Sequence, residues 1–336
     1  MSQQHDEDVF GLGDVRVADD EESARLADFD EDEHEMMLAT TDDDRSVHGA
    51  ALQEQETRFA DDSVQGFFKH EEAVLCVARH PTLRDVIASG GQDDRAFVWN
   101  AASGATISKL PQHPDSVNQV AWNYDGTLLA TACMDGSVRI FRFDDSGSDD
   151  GSKDSEGLDR VAGIAKAAKL TETGELPLLR ELEGPGDELT CLQWHPRGNV
   201  LLAGGADSTT WMWGLPSGRC LHVFAGHAEG VTCGGFTPDG KQVWTASSDG
   251  ELFLHDPKSG GAVWHATRSL LFNDAAAGPV TCAAFRQKEN SPALLLLGNE
   301  DASASLLNLE SRKVLLRITG HQLSVEAVGF SNTYTC

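Results

Sequence analysis

From about residue 70 onward, short apolar runs are separated by Gly-, Asp- and Asn-rich turns. Ala73–Ala78, Val86–Ser89 and Arg95–Trp99 form a first trio of such runs. Val117–Trp122, Leu128–Ala132 and Ser137–Phe141 form a second. The pattern returns as Leu189–Trp194, Val200–Ala203, Thr209–Trp213, then Val231–Phe236, Val243–Ala246, Glu251–His255, then Val280–Phe285, Ala293–Leu297, Ala302–Leu307. Runs of this length, rich in Val, Leu and aromatics and bounded by turn residues, predict strands. The 33 glycines suit many tight turns. No run approaches the ~20 apolar residues that span a membrane.

Two polar series run in phase with these strands. Asp93, Asp135, Asp207, Asp249 and Asp301 each stand six residues before a strand-ending residue (Trp99, Phe141, Trp213, His255, Leu307), at intervals of 42, 72, 42 and 52. His70, His113, His227 and His321 each precede by four residues a Val that opens a strand (Val74, Val117, Val231, Val325). A period near 42 marks a repeat array. The two series together read as WD repeats, so the fold expected is an all-β propeller with one four-stranded blade per repeat.

The blades fall at about 70–112, 113–184, 185–226, 227–275 and 276–320, and Val325–Phe330 is expected to open a sixth. A chain stopping at Cys336, inside a blade, predicts an incomplete propeller over 63–336. Ser63–His70 is expected to form a strand that helps close the ring. Residues 1–62 read as a disordered acidic tail. The 72-residue interval holds an insertion, 144–175, with an acidic loop and a short helical pattern over Leu158–Leu170.

Net charge is −28, and −17 of it lies in residues 1–62. That excess of acid argues against direct nucleic-acid binding, which needs Lys and Arg clusters. It favours a basic protein partner. The amino terminus lacks the pattern of a secretion signal, which predicts a cytoplasmic protein that can also be nuclear. Cys76, Cys191, Cys233 and Cys282 recur at one position per blade, which predicts separate, unbridged thiols, and no Cys-x-x-Cys pair offers a zinc site. No metal or cofactor is expected.

Blade 1 supplies His70, Ser89, Asp93 and Trp99, a set able to form one hydrogen-bonded tetrad. Blade 2 has His113, Thr131, Asp135 and Phe141. Blade 4 has His227, Thr245, Asp249 and His255 in the Trp place. Blades 3 and 5 lack both the His and the hydroxyl (Pro185 and Ala203; Ala276 and Leu297). A set repeated blade by blade supports a fold, whereas catalysis needs one unique site, so no enzyme is expected. Trp211 and Trp213 are expected to face opposite ways, one to a core and one to a neighbouring blade.

Two residues beyond each His position stand Glu72, Asp115, Asp187 and Glu229, with Asp94 and Glu300 in the adjoining turns. Blade 5 has Gly278 and the sixth Leu323, so the series breaks after blade 4. On one face of a propeller these acids would form an arc that attracts Lys and Arg side chains.

Gly90-Gly-Gln-Asp-Asp-Arg-Ala-Phe-Val-Trp99, Trp194-His-Pro-Arg and Leu201–Trp213 with its Trp-Met-Trp end resemble the angio-associated migratory cell protein family. The acidic tail fits it too. The resemblance covers roughly residues 60–330 and implies an eight-bladed propeller. Its fungal members imply a dedicated chaperone for a basic large-subunit ribosomal protein, acting in ribosome biogenesis, and a monomer is expected. Animal members of the family imply the alternative, a signalling scaffold in cell migration that recruits membrane-associated or cytoskeletal partners.

Overall fold

The computed structural model describes residues 65–143, 175–274, 277–286 and 292–330. The expected acidic tail, the 144–174 part of the insertion and Ala276 lie outside the described residues.

Five antiparallel sheets of four strands follow one another along the chain, each in simple meander order. Blade 1 comprises β1 (Val74–Arg79), β2 (Val86–Gly91), β3 (Ala96–Asn100) and β4 (Thr106–Lys109). Blade 2 comprises β5 (Val117–Trp122), β6 (Leu128–Cys133), β7 (Val138–Arg142) and β8 (Leu178–Leu182). Blade 3 comprises β9 (Leu189–Trp194), β10 (Val200–Gly205), β11 (Thr210–Gly214) and β12 (Arg219–Phe224). Blade 4 comprises β13 (Val231–Phe236), β14 (Val243–Ser247), β15 (Leu252–His255) and β16 (Ala262–Ala266). Blade 5 comprises β17 (Val280–Arg286), β18 (Leu294–Asn299), β19 (Ala304–Asn308) and β20 (Lys313–Ile318).

The second strand of each blade explains the continuous apolar runs. It is flanked by strands of its own sheet and, in blades 2 to 4, covered on both faces by neighbouring blades. Every residue of β6 and β14 is accordingly buried, as in sheets covered on both sides. The outer strands β4, β8, β12, β16 and β20 are half exposed and mixed in character, which is why pattern alone leaves them out.

The core is divided among the blade junctions. One cluster joins blades 1 and 2 (Val86, Val98, Val117, Trp122, Phe141), another blades 2 and 3 (Val138, Leu182, Leu189, Trp213). Further clusters join blades 3 and 4 (Leu202, Met212, Phe236) and blades 4 and 5 (Leu254, Leu271, Val280, Leu295). At two junctions, and again where Val325 follows blade 5, a Val sits over a glycine of the preceding blade. A Cβ on Gly90 would lie 2.6 Å from Val117 Cγ1, and one on Gly204 or Gly298 2.8 Å from Val231 or Val325 Cγ1. Full burial of each such Val contributes roughly 1.5–3 kcal/mol.

The two ends of the array differ from the sequence expectation. Residues 65–70 form no strand. Phe67 instead stacks on Trp99 at 4.8 Å, inside blade 1. Val325–Phe330 forms none either. Val325 docks on blade 5, its N–H donating to Asn299 O at 3.1 Å, but among the described residues no second strand lies beside 325–330 to complete a ladder. The 52-residue interval also has a visible cause. A short helix, Arg268–Phe272, lies between β16 and β17 and buries Leu271 and Phe272.

Candidate functional site

The acids stand on turns that every blade builds alike. The residue after the acid position accepts a backbone hydrogen bond from the blade's second turn. These bonds are Gln92 N to Ala73 O, Met134 N to Ser116 O, Ala206 N to Glu188 O, Ser248 N to Gly230 O and Glu300 N to Pro279 O, at 2.8–3.0 Å. The second turn also places a residue in the left-handed region in all five blades: Asp94 (φ 60°), Gly136 (84°), Ser208 (63°), Gly250 (73°) and Ala302 (67°). In blades 2, 4 and 5 the carbonyl at the acid position is held by a side chain, from Cys133, Ser247 and Asn299 respectively.

Each second turn in turn abuts the next blade's acid turn. Asp94 O accepts from His113 N at 3.0 Å. A Cβ on Gly136 would lie 2.9 Å from Asp187 O, and one on Gly230 3.1 Å from Ala206 Cα. The acid turns are therefore consecutive along one face. Glu72, Asp115, Asp187, Glu229 and Glu300 are exposed there, and Asp94 is half-buried. Among the described residues none of these six is in an ion pair.

Glu300 does more than adjoin the series. Its Cβ lies 3.5 Å from where a Cβ on Gly278 would be, so it stands beside the place blade 5 leaves without an acid. The aliphatic stem of Arg268, from the short helix, packs at the second turn of blade 4, its Cγ 3.0 Å from where a Cβ on Gly250 would be. Sequence reading missed Glu71, Glu188, Asn118 and this arginine. Glu71 is paired with Arg95 at 2.7 Å, and Glu188 accepts from Asn118 Nδ2 at 3.3 Å. The doublets Glu71-Glu72 and Asp187-Glu188 were the signal available for the two acids.

Beneath the face lie the tetrads, and they are unequal. In blade 1, His70 Nδ1 meets Asp93 at 2.9 Å and His70 Nε2 meets Ser89 Oγ at 2.9 Å, while Trp99 Nε1 donates to Ser89 Oγ at 3.2 Å. Blade 4 repeats this with His227, Asp249 and Thr245, and His255 Nε2 takes the Trp place at 3.4 Å from Thr245 Oγ1. Burial pushes the Asp93 and Asp249 carboxyls up, but the bonds from His70 or His227 and from backbone N–H groups outweigh it and hold both below the ordinary value.

Blade 2 departs from expectation. His113 Nε2 meets Thr131 at 2.8 Å, yet Asp135 turns to Ser137, accepting from its N and Oγ at 2.9 and 2.7 Å. His113 Nδ1 is left buried without a partner. Asp207 and Asp301 likewise bind Thr209 and Ser303 of their own turns. Trp213 donates to Glu183 O instead of a hydroxyl, Asn299 braces blade 5, and His321 is exposed with no tetrad around it.

Two further expectations change. Trp211 and Trp213 lie on the same side of β11 with ring centroids 6.0 Å apart, because residues two apart in a strand share a face. The recurrent cysteines are free, but not because they are remote. Inner strands converge, and Cys191 Sγ lies 3.5 Å from a Cβ on Gly234, next to Cys233.

Among known proteins, the WD domain, G-beta repeat family matches residues 62–100, 104–142, 176–214 and 218–256. Its later matches each start at the outer strand of one blade and end at the third strand of the next; blade 5 lies beyond all four. Angio-associated migratory cell protein from Homo sapiens is 31% identical over 255 residues, 76% of this chain and 50% of that protein. The Canis lupus familiaris protein of that name is also 31% identical, with 49% of its length covered. F-box-like/WD repeat-containing protein TBL1X from Mus musculus is 29% identical over 174 residues, 47% of this chain and 27% of that protein. The chain thus spans about half the length of the first of these relatives.

Proposed function

We propose, from the premise that this chain is a WD-repeat β-propeller protein, that its acidic face holds the basic segment of a partner, as a dedicated chaperone for a newly made ribosomal protein. WD repeats make it a protein-binding scaffold, and the acidic face gives that scaffold a preference. One observation carries the reading. Glu72, Asp115, Asp187 and Glu229 occupy one turn position in four successive blades, exposed and, among the described residues, in no ion pair. Carboxylates in such an arc raise the local concentration of Lys and Arg and speed encounter with a basic chain. Salt weakens attraction of this kind within a Debye length of ~8–10 Å.

The test is a pull-down of a basic ribosomal protein with the full-length protein at low and high salt. Capture should fall with salt and be lost on reversing all four charges. Capture that survives the reversal rejects the reading. A scaffold for membrane-associated or cytoskeletal partners would not cosediment with pre-ribosomes, and the proposed chaperone should.

A further inference from the structure

We propose that Asn118 and Glu188, at the junction of blades 2 and 3, form an anchor pocket for one lysine or arginine side chain of the basic partner. The proposal rests on the acidic-face reading and sharpens it to a single contact.

In blades 2, 3 and 5 the second residue of the inner strand reaches forward along the array as a latch. Thr190 Oγ1 donates to Val231 O and Thr281 Oγ1 to Val325 O, each the carbonyl of the next opening Val. Blade 2 carries Asn118 at that place. Its Nδ2 performs the latch, donating to Leu189 O at 2.6 Å, and reaches Glu188 Oε1 at 3.3 Å. A threonine would be fully used by this task. The amide has an oxygen left over.

That oxygen has no partner. Asn118 is 9% exposed, and Oδ1 is buried without a hydrogen bond. Flipping the amide would set two acceptor oxygens 2.6 Å apart at Leu189, so the orientation is fixed. Oδ1 belongs to the amide whose nitrogen faces Glu188, so spare acceptor and carboxylate belong to one corner, with exposed Asp187 next in the chain.

A neutral acceptor beside a carboxylate calls for a cation with several donors. An ammonium has three and a guanidinium five, and neither accepts. A calcium ion would require six or more oxygens, which this corner does not offer. Glu188 is half-buried and must swing aside to admit the ligand. Its 3.3 Å contact, long for a charged acceptor, leaves it free to do so.

Asn118→Thr is the decisive variant. It installs the residue that blades 3 and 5 already use for the latch (Thr190, Thr281), so the latch remains and only the spare acceptor goes. The probe is a lysine-rich peptide, with its fully acetylated form as control, titrated into the full-length protein. We expect Asn118→Thr and Glu188→Gln each to weaken the peptide about tenfold, as loss of one charge-assisted hydrogen bond does, with Asn118→Thr leaving the melting temperature undiminished. Unchanged affinity in Asn118→Thr overturns the anchor. The four-acid reversal, run in parallel, separates the two ideas. Loss there with no effect of Asn118→Thr sinks the anchor alone, and retention there sinks the acidic-face reading.

Discussion

Single polar groups decide how rigid each blade is. Ser89 serves two partners at once, His70 and Trp99. Ser89→Ala should therefore leave two polar groups without their partner and cost about 1–3 kcal/mol, measured as a shift in the denaturation midpoint. The same residues set the response to acid. Burial holds His113 and His255 down to about 4, from 6.5; Arg139 adds to the first and His227 to the second. In the folded chain both are neutral where the unfolded chain binds protons. Stability is thus complete above pH 6.5 and falls as pH drops from there through about 4. Below that, loss of the depressed Asp93 and Asp249 continues the decline. His255→Phe, which copies Phe141 of blade 2, should flatten the slope between pH 6.5 and 4 in thermal melts. An unchanged slope would show that His255 is not the group titrating.

Within a blade, the hairpin carrying the key Asp needs a left-handed residue, and the blades meet that need unequally. Gly136 and Gly250 adopt it freely, while Ala302 does so against its Cβ. Ala302→Gly should raise stability by about 0.5–1 kcal/mol, the relief of left-handed strain less the added chain entropy. Gly136→Ala should lower it by ~2 kcal/mol or more, because its Cβ would also meet Pro185 O at 2.6 Å. Denaturant midpoints of the two variants should move in opposite directions. Blades were legible here because turn chemistry recurs at fixed offsets. The outer strands were not, since Arg219–Phe224 or Lys313–Ile318 carry neither clean alternation nor a continuous apolar run.

Across the whole array, position in the ring outweighs residue type. Val74, Val117 and Val231 open equivalent strands, yet Val74 is 49% exposed and the others are at most 1%. Among the described residues no blade precedes β1, so Val77 too is 66% exposed. Val231→Ala should cost about 2 kcal/mol, from lost methyl burial and the cavity left, and Val74→Ala well under 1. Equal losses in urea unfolding would mean that something covers blade 1. The acidic face is also a property of this scale. Backbone bonds of 2.8–3.0 Å repeat at five turns, and that repetition turns acids 42 to 72 residues apart into neighbours along one surface.

The sequence alone determined the repeat, its period, the inner three strands of each blade and the acids that share a turn position. Those features depend on local spacing, which turn geometry and strand periodicity write directly into the chain. Only the tertiary structure decided which Asp reaches its His. Asp93 and Asp249 do so, while Asp135 turns to Ser137 two residues away. It also decided that Glu300 stands beside the place where Gly278 leaves no acid, that the stem of Arg268 packs at Gly250, and that Asn118 retains an acceptor no other described residue satisfies. Such outcomes depend on contacts between segments far apart in the sequence. There a difference of one hydrogen bond selects the partner, and no local pattern records it.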